Sequence, residues 1–436
     1  MNNSNGNQTR RQFLQTTGAA VAAGIATQMA IPRSVRAAGT DQIKVGLIGA
    51  GGRGSGAGMQ ALKADKGNVL WAIGEMFQER LDGAVASFTK SKPDQVKLED
   101  RKFLGFDAYQ KVIDSGVDVV VLATPPGFRP THIKAAVDAG KHMFTEKPMA
   151  VDVPGVKIVQ QAVADAKKKN LTMVAGFCWR YSYPEREIFK RIYDGAIGDI
   201  VSQQGLYYTG ELWMKPRQEK WTDMEWQLRN WLYLTWLSGD HITEQAVHTI
   251  DKIGWTMKDV PPIAAFGTGG RQVRTDPAYG QIYDHFGVTY EFAGDVRCHL
   301  GCRQQGNCWN SVTDHIVGTK GVASITGWSV HNITGPNAWK YADEKAANDM
   351  YQTEHDEMFA ALRAGKTMND GDRMINSTMM AILGRMAAYT GQRVTWDEAM
   401  KSTEKLGPDK LEMGPLPLPP VAMPGKTDVN GKPARL

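Results

Sequence analysis

A glycine-rich loop followed by a distant acid is the first feature of this chain that could do chemistry. Residues 49–54 (GAGGRG) fit the pattern G-x-G-x-x-G, and Glu75 lies 21 residues beyond them. Such glycines allow a tight turn, a close approach of the backbone to a pyrophosphate and close packing of a helix on a strand. Free N–H groups at the helix start would bind the phosphates, and the acid would accept hydrogen bonds from ribose hydroxyls. The predicted dinucleotide-binding residues are Gly49, Gly51, Gly52, Arg53, Gly54 and Glu75.

The acid also bears on which dinucleotide would bind. A carboxylate at Glu75 repels a 2′-phosphate, and the next three residues, Met76 to Gln78, offer no cation. The sequence therefore favours NAD over NADP, although Arg80 keeps NADP open as the alternative.

The elements that must position this loop alternate regularly from Ile43 to Gly176. Apolar runs predict strands, and the stretches between them have helical periodicity. Predicted strands are 44–48, 69–73, 117–123, 142–145 and 172–175, and predicted helices are 80–87, 131–139 and 155–168. Strand, helix and strand in this order predict a doubly wound parallel sheet, which is the context that the glycine pattern requires. Without it, a glycine-rich turn followed by an ordinary surface glutamate would be the alternative.

After Arg180 the pattern changes. The sequence predicts a helix over 183–194, a strand over 200–208, a tryptophan-dense segment over 213–236 and a helix over 239–253. Alternating stretches at 282–292 and 295–303 then predict an antiparallel sheet, followed by helices near 346–364 and 372–390. The proline-rich tail after residue 396 is expected to lie extended on the surface.

A Glu-Lys-Pro triplet at residues 146–148 is more specific, because it ends a predicted strand of the parallel sheet. This triplet resembles a motif of the glucose–fructose oxidoreductase, inositol dehydrogenase and MocA (Gfo/Idh/MocA) family. The segments that share the resemblance are 123–126 (ATPP) with His132, 139–142 (AGKH), 176–184 (GFCWRYSYP), 238–251 (SGDHITEQAVHTID), 353–355 (TEH) and 384–387 (GRMA).

The resemblance implies an α/β protein with two domains. The expected division is an NAD(P)-binding Rossmann domain at 41–176, a substrate and oligomerisation domain at 177–396 and the extended tail at 397–436. The second domain would carry an open, mostly antiparallel sheet. One face of that sheet would cover the active site, and the other commonly makes oligomer contacts, so we expect a homo-oligomer.

The resemblance also implies site residues. It places Lys147 and His248 at the catalytic lysine and histidine of the family, with Glu244 where an aspartate is common. Imidazole suits a general base because its unperturbed pKa lies near neutrality, and an ammonium can hold the reacting oxygen. Further cofactor contacts would be Thr124, Pro125, His132, Glu146 and Lys147, and substrate contacts would be Lys147, Arg180, Asp240 and His248.

Two other patterns leave alternatives open. On one helical face, His241, Glu244 and His248 could offer three metal ligands, but the spacing is not H-E-x-x-H and the family reaction needs no metal, so none is expected. Aromatic faces can stack on sugar rings, so Trp213, Trp221 or Trp226 could line a cleft. Trp231 and Trp236 lie in an apolar stretch, which favours core or an interface.

The first 38 residues have the pattern of an export signal rather than of a folded domain. Arg10-Arg11 precedes a weakly hydrophobic stretch and then Ala37-Ala38, which predicts a twin-arginine signal and a periplasmic or extracytoplasmic protein. This segment holds four arginines and no acid, so the remaining 47 basic residues face 46 acidic ones. A nearly neutral mature chain gives no reason to expect nucleic acid as a partner, and we expect no membrane span. The four cysteines match neither a zinc site nor a disulfide framework, and buried free thiols are favoured over one disulfide.

The resemblance implies an oxidoreductase that transfers hydride from a CH–OH group of a sugar, polyol or related small molecule, and the export signal favours a tightly held nicotinamide. Outside the cytoplasm there is little free cofactor to exchange, so the bound cofactor would return to its starting state in each cycle. Two alternatives remain: cleavage of a glycoside through transient oxidation, and a non-catalytic protein that binds sugars.

Overall fold

The computed structural model describes residues 42–327, 330–342 and 347–433. The predicted signal at 1–38 lies outside the described residues, as does Ala346, the predicted start of a helix.

Sheet A contains six parallel strands in the order β3-β2-β1-β4-β5-β6. Its strands are β1 (Ile43–Ile48), β2 (Asn68–Glu75), β3 (Lys102–Leu104), β4 (Val119–Leu122), β5 (His142–Thr145) and β6 (Met173–Ala175). The connecting helices are α1 (Gly52–Ala64), α2 (Gln78–Ser91), α3 (Ala108–Asp114), α4 (Arg129–Asp138) and α5 (Val153–Lys168). Successive strands are added on one side of β1 up to β3 and on the other side from β4 onward. Ligands of such sheets bind at the carboxyl ends of the strands at this switch point, here between β1 and β4.

Sheet B contains nine strands in the order β14-β13-β12-β11-β7-β10-β9-β8-β15. Only the β7–β10 pair is parallel, so the sheet is mostly antiparallel. Its strands are β7 (Ile200–Thr209), β8 (Ala264–Gly270), β9 (His285–Glu291), β10 (Arg297–Gln304), β11 (Ser311–Gly318), β12 (Val322–Thr326), β13 (Val330–Thr334), β14 (Trp339–Lys340) and β15 (Val394–Thr395). The α/β class, with a Rossmann sheet and an open second sheet, is confirmed.

Eight helices accompany sheet B in the described part of the chain. They are α6 (Tyr183–Tyr193), α7 (Asp223–Arg229), α8 (Thr235–Ser238), α9 (His241–Glu244), α10 (Val247–Thr256), α11 (Met350–Arg363), α12 (Gly371–Thr390) and α13 (Trp396–Lys401). Almost every residue of α12 is buried. Its apolar side chains join one hydrophobic core with side chains from both sheets, so the two halves of the molecule share a core.

The helix predicted over 239–253 is not continuous. Gly239 and Asp240 have positive φ angles of 77° and 71°, so the backbone leaves the helical region before α9 begins. Gln245 and Ala246 then separate α9 from α10. Glu244 and His248 therefore belong to two short helices rather than to one face of a single helix.

The structure also bears on the cysteines, the C-terminal tail and the expected absence of a membrane span. Cys178, Cys298 and Cys302 are buried free thiols, and Cys308 is an exposed one. From 402 to 433 the described tail has neither helix nor regular strand and is mostly exposed. Among the described residues, no helix is both long and apolar enough to cross a membrane.

Candidate active site

A cleft with a volume of about 760 Å³ opens at the carboxyl ends of β1, β2 and β4. Clefts of this size suit small molecules and cofactors. The wall from the sheet A side includes the glycine loop, Glu75, Phe77, Arg80, Thr124, Pro125, Phe128 and His132. The wall from the sheet B side includes Leu212, Trp213, Lys215, Leu228, Trp231, Leu232, Glu244 and Gln245.

The glycine loop has the close contacts that the pattern predicts. Gly49 has a φ of +90°, and a Cβ on it would lie 2.8 Å from the carbonyl carbon of Ala123. A Cβ on Gly54 would lie only 1.8 Å from the carbonyl oxygen of Gly49. No side chain caps α1 at Gly51, and a Cβ on Gly52 would meet nothing within 4 Å. The first turn of α1 is therefore open to the cleft and fits a pyrophosphate group.

Glu75 is fixed at the end of β2 by the backbone around it. One carboxylate oxygen accepts a hydrogen bond from the N–H of Ala50 at 2.8 Å, and the other accepts from Met76 at 2.6 Å and Phe77 at 3.3 Å. A carboxylate has about four acceptor positions, so it can still receive a ribose hydroxyl. The guanidinium of Arg80 lies 5.7 Å from the Phe77 ring and lines the same wall.

The loop after β4 is held by buried basic residues. Arg129 donates to the carbonyl oxygens of Thr124 and Pro148, which ties this loop to the Glu-Lys-Pro triplet. The Thr124 hydroxyl lies 3.1 Å from Nδ1 of His132, whose ring stacks on Tyr109. Burial, aided by the charge of Arg129, lowers the pKa of His132 to about 3, so this imidazole is neutral. Thr124, Pro125 and His132 thus line the cleft as the prediction placed them.

Glu146 faces Arg53 rather than the cleft. Arg53 donates from Nε to Glu146 and from Nη2 to Glu354 at 3.3 Å, so it joins the glycine loop to β5 and α11. A Cβ on Gly176 would lie 2.7 Å from Glu146 Oε2, so only glycine leaves room for this carboxylate. Burial and the neighbouring Glu146 raise the pKa of Glu354, against the opposing effect of Arg53. The sequence analysis noted residues 353–355 but gave Glu354 no role.

Lys147 and Glu244 meet between the two sheets. Lys147 follows β5, and its Nζ donates to Glu244 Oε1 at 3.1 Å and to the backbone carbonyl of Glu244. Glu244 lines the cleft. Lys147 is not itself a lining residue, but it contacts one through Glu244.

His248 lies close enough to Lys147 for the ammonium to act on its titration. Burial lowers the pKa of His248 well below its usual value, and the charges of Lys147, Lys252 and Arg53 lower it further. Its ring packs edge-on against Phe177, and its buried Nδ1 has no hydrogen-bond partner among the described residues. The arrangement therefore places a cation and a neutral imidazole behind Glu244, which is the member of the three that lines the cleft.

Two predicted substrate residues are not brought to the cleft. Arg180 is buried and binds Asp251 at 2.8 Å and Asp259 at 2.5 Å. The Asp240 carboxylate is fully buried and accepts hydrogen bonds from the N–H of His241, the N–H of Tyr283 and the Tyr389 hydroxyl. Both side chains are occupied in holding the fold, since a buried charge needs partners of this kind.

The metal alternative has no geometric support. His241 is buried with Nδ1 3.0 Å from Asp240, away from the cleft wall that contains Glu244. Within the described ranges, no group of three acidic, histidine or cysteine side chains is arranged to hold a metal ion.

The tryptophan-rich segment follows its prediction in part. Trp213 lines the cleft and Trp236 is buried, as expected. Trp231, which the apolar pattern had favoured as core or interface, lines the cleft as well, and Trp226, a candidate for the cleft, is buried. Sequence reasoning also missed Gln245 and Lys215 as cleft residues. Gln245 lay inside the recognised 238–251 segment, but a helical pattern alone does not show where the helix breaks.

Comparisons with known proteins agree with this geometry. A family model described as GFO_IDH_MocA, "Oxidoreductase family, NAD-binding Rossmann fold", matches residues 43–176. A glycosyl hydrolase family 109 protein from Shewanella amazonensis is 26% identical over 230 residues, which cover 49% of each chain. The matched region thus spans about half the length of such curated relatives.

Solved structures extend the likeness to both sheets. The aldose-aldose oxidoreductase from Caulobacter crescentus has a TM-score of 0.64 at 18% identity, covering 81% of this chain and 99% of that one. A levoglucosan dehydrogenase in complex with NADH and levoglucosan has a TM-score of 0.65 at 19% identity, with coverage of 81% and 99%. At these identities the likeness concerns the fold.

Proposed function

We propose that the protein oxidises a CH–OH group of a sugar or polyol, because residues 43–176 match the NAD-binding Rossmann model of the Gfo/Idh/MocA oxidoreductase family. Hydride would pass to a tightly held NAD, with NADP as the less favoured cofactor. The observation that carries the proposal is the contact of Lys147 with Glu244 at the cleft, with His248 near enough for the ammonium to lower its pKa. Lys147 follows strand β5 of sheet A, whereas Glu244 and His248 belong to helices α9 and α10.

The chemistry follows from the charge state of each group. NAD, when bound, supplies the hydride acceptor. Lys147 donates from Nζ to the reacting oxygen and stabilises the negative charge that develops on it. His248 is neutral because burial and nearby cations lower its pKa, so its ring can accept the hydroxyl proton. Glu244 holds the ammonium in place through its side chain and its carbonyl.

Tight retention of the dinucleotide is supported by the segment that covers its cleft. Arg229 of α7 binds Glu79 of α2 at 2.5 Å and stacks over the Phe77 ring at 3.8 Å. Phe77 in turn packs in an apolar cluster with Met224, Leu228 and Leu232. Glu79 and Phe77 follow Glu75, so this contact closes the end of the cleft where the adenosine would lie. A cofactor enclosed in this way favours a cycle that restores its redox state.

Export and assembly complete the proposal. We propose that the twin-arginine pattern exports the folded protein with its cofactor already bound, because outside the cytoplasm free nicotinamide is scarce. We also propose a homo-oligomer formed through the outer face of sheet B. Partly exposed Leu206 and Tyr208 and exposed Phe266 lie on strands of this sheet.

Glycoside cleavage through transient oxidation is the second candidate. The matching relative from Shewanella amazonensis bears a glycosyl hydrolase name, and such a reaction would use the same cofactor and the same base. A non-catalytic sugar-binding protein is the third, and the presence of both Lys147 and His248 speaks against it.

A substrate screen separates the three. The mature protein is mixed with polyols, free sugars and aryl glycosides, while nicotinamide absorbance and release of the glycone are followed together. The proposal expects reduction of the bound nicotinamide by a polyol or free sugar. Glycone release without net reduction would support cleavage, and binding with neither signal would leave only the sugar-binding protein.

A further inference from the structure

Gln245 occupies an unusual place in the cleft. It lies between α9 and α10, where its N–H donates to the carbonyl of His241 at 2.9 Å and its carbonyl accepts from the N–H of His248 at 3.2 Å. The backbone on both sides is thus fixed by the elements that carry Glu244 and His248. Its side chain lines the cleft beside Glu244.

The side chain of Gln245 is held by a chain of hydrogen bonds that begins at a buried arginine. Arg274 Nη2 donates to Gln304 Oε1 at 2.6 Å, and Gln304 Nε2 donates to Gln245 Oε1 at 2.8 Å. Gln304 is fully buried and Arg274 nearly so. We call these three residues the amide relay.

The relay fixes which end of each amide faces which way. Taken alone, a glutamine amide can be turned over, because its oxygen and nitrogen have the same shape. A guanidinium can only donate, so the atom of Gln304 that faces Arg274 must be its oxygen. Gln304 then presents its nitrogen to Gln245, whose oxygen must accept. The Nε2 group of Gln245 is left on the other side, and no described residue accepts a hydrogen bond from it.

The side chain of Arg274 has few partners other than Gln304. It forms no salt bridge with a described residue, and burial lowers its pKa, although the more distant carboxylates of Asp240 and Asp284 oppose this effect. Its other side-chain contacts are with the carbonyl of Tyr283 at 3.2 Å and the Tyr233 ring at 5.1 Å. Burying a cation without a direct ionic partner is costly, so its hydrogen bond to Gln304 helps to offset that cost.

Resting on the proposed function, we propose that Gln245 is a specificity-determining residue whose Nε2 group, oriented by Gln304 and Arg274, donates a hydrogen bond to an acceptor oxygen of the substrate. The ligand class is a polyhydroxylated molecule with a hydroxyl, ring or carbonyl oxygen close to the carbon that is oxidised. Gln304 and Arg274 act as positioning residues, since neither lines the cleft.

Two variants separate recognition from positioning. Gln245→Leu removes the donor at similar size, and Gln161→Leu on the exposed surface of α5 is the matched control. Gln304→Glu keeps an acceptor for Arg274 but removes the donor. In that variant Gln245 must turn its Nε2 toward the introduced carboxylate and present its oxygen to the cleft.

The orientation is measured without substrate, by hydrogen exchange of the Gln245 side-chain amide in the full-length holoprotein labelled with ¹⁵N-glutamine. Gln245→Leu identifies the signal by its loss. In the parent protein this amide should exchange like an exposed one, and Gln304→Glu should slow it about tenfold. A Gln245 amide that is already protected in the parent, or unchanged in Gln304→Glu, would overturn the relay.

Recognition is measured with D-glucose, D-xylose, glycerol and myo-inositol as probes, by reduction of the bound nicotinamide. Gln245→Leu should raise the probe concentration that gives half-maximal reduction rate about tenfold with little change in the maximal rate, because one neutral hydrogen bond is lost, and Gln161→Leu should match the parent. Equal half-maximal concentrations for parent and Gln245→Leu toward every probe that reacts would overturn the role of Gln245. If the proposed function is wrong, no probe will reduce the bound nicotinamide of the parent protein. This outcome is distinct from a failure of the proposed role of Gln245, which is judged only with probes that react.

Discussion

At the scale of single residues, the ionisation of His248 gives the sharpest expectation. Burial and the charges of Lys147, Lys252 and Arg53 lower its pKa, so the neutral form persists below pH 6.5. If His248 is the base, kcat/KM should stay level on acidification through pH 6.5 and fall only at lower pH. A pH profile measured with any oxidisable polyol tests this expectation, and an acid limb centred at or above pH 6.5 would contradict it.

The sequence identified His248 and Lys147 only through family resemblance. The apolar pattern did predict the strand that Lys147 follows, but it predicted one continuous helix over 239–253 and so did not show that His248 lies near the start of a separate helix. For Arg180 and Asp240 the predicted role in substrate binding failed. A motif gives the residue type, but it does not show that other protein groups already occupy the side chain's hydrogen-bonding positions.

At the scale of elements, the turn from β1 into α1 depends on Gly54. Its added Cβ would lie 1.8 Å from the carbonyl oxygen of Gly49, a backbone atom that cannot move away cheaply. Gly54→Ala should therefore lower the free energy of unfolding by about 2 kcal/mol or more and reduce the bound nucleotide. Gly83→Ala in α2 is the control, because a Cβ there meets nothing within 4 Å. Equal urea midpoints for the two variants would contradict this account of the loop.

The contact between α7 and α2 is expected to slow release of the cofactor. Arg229→Ala removes the ion pair with Glu79 and the stacking on Phe77, so bound nucleotide should leave at least about tenfold faster on dialysis. Arg393→Ala breaks an exposed pair with Glu291 at 2.7 Å on the edge of sheet B and should release nucleotide like the parent. The same rate of loss in all three proteins would show that this contact does not enclose the cofactor.

Strands with a marked apolar pattern were predictable, and strands with a weak pattern were not. Continuous apolar runs located β1, β2, β4, β5 and β6, since buried parallel strands carry little else. Three-residue β3 and the strands from β11 to β14 have weak patterns, and the breaks around α9 depend on backbone angles at Gly239 and Asp240 that propensity does not give.

At the scale of the whole molecule, buried histidines couple the fold to pH. Burial lowers the pKa of His142 to about 4, and its Nδ1 accepts from the N–H of Thr172. Between pH 6.5 and about 4 the unfolded chain binds a proton here that the folded chain does not, so stability falls as pH falls. His142→Gln removes this contribution. Its stability relative to the parent should rise by about 1.4 kcal/mol between pH 6 and pH 5, measured by urea unfolding. No change in that difference would contradict a neutral, buried His142.

The class of the fold followed from the sequence because alternation of strands and helices is a long-range pattern that survives local error. The shared core around α12 could not be predicted from the sequence. Its residues pack with side chains from both sheets, and a local pattern shows that a face is buried but not which element it packs against.

The central proposal is that a substrate held by Lys147 transfers hydride to a retained nicotinamide. It is tested most directly by purifying the mature parent and Lys147→Ala proteins, extracting their nucleotide for mass spectrometry and following absorbance at about 340 nm after addition of an oxidisable polyol. We predict that NAD accompanies both proteins, and that reduction in Lys147→Ala is at least about 100-fold slower. Absence of nucleotide from the parent, or equal reduction in the two proteins, would contradict the account.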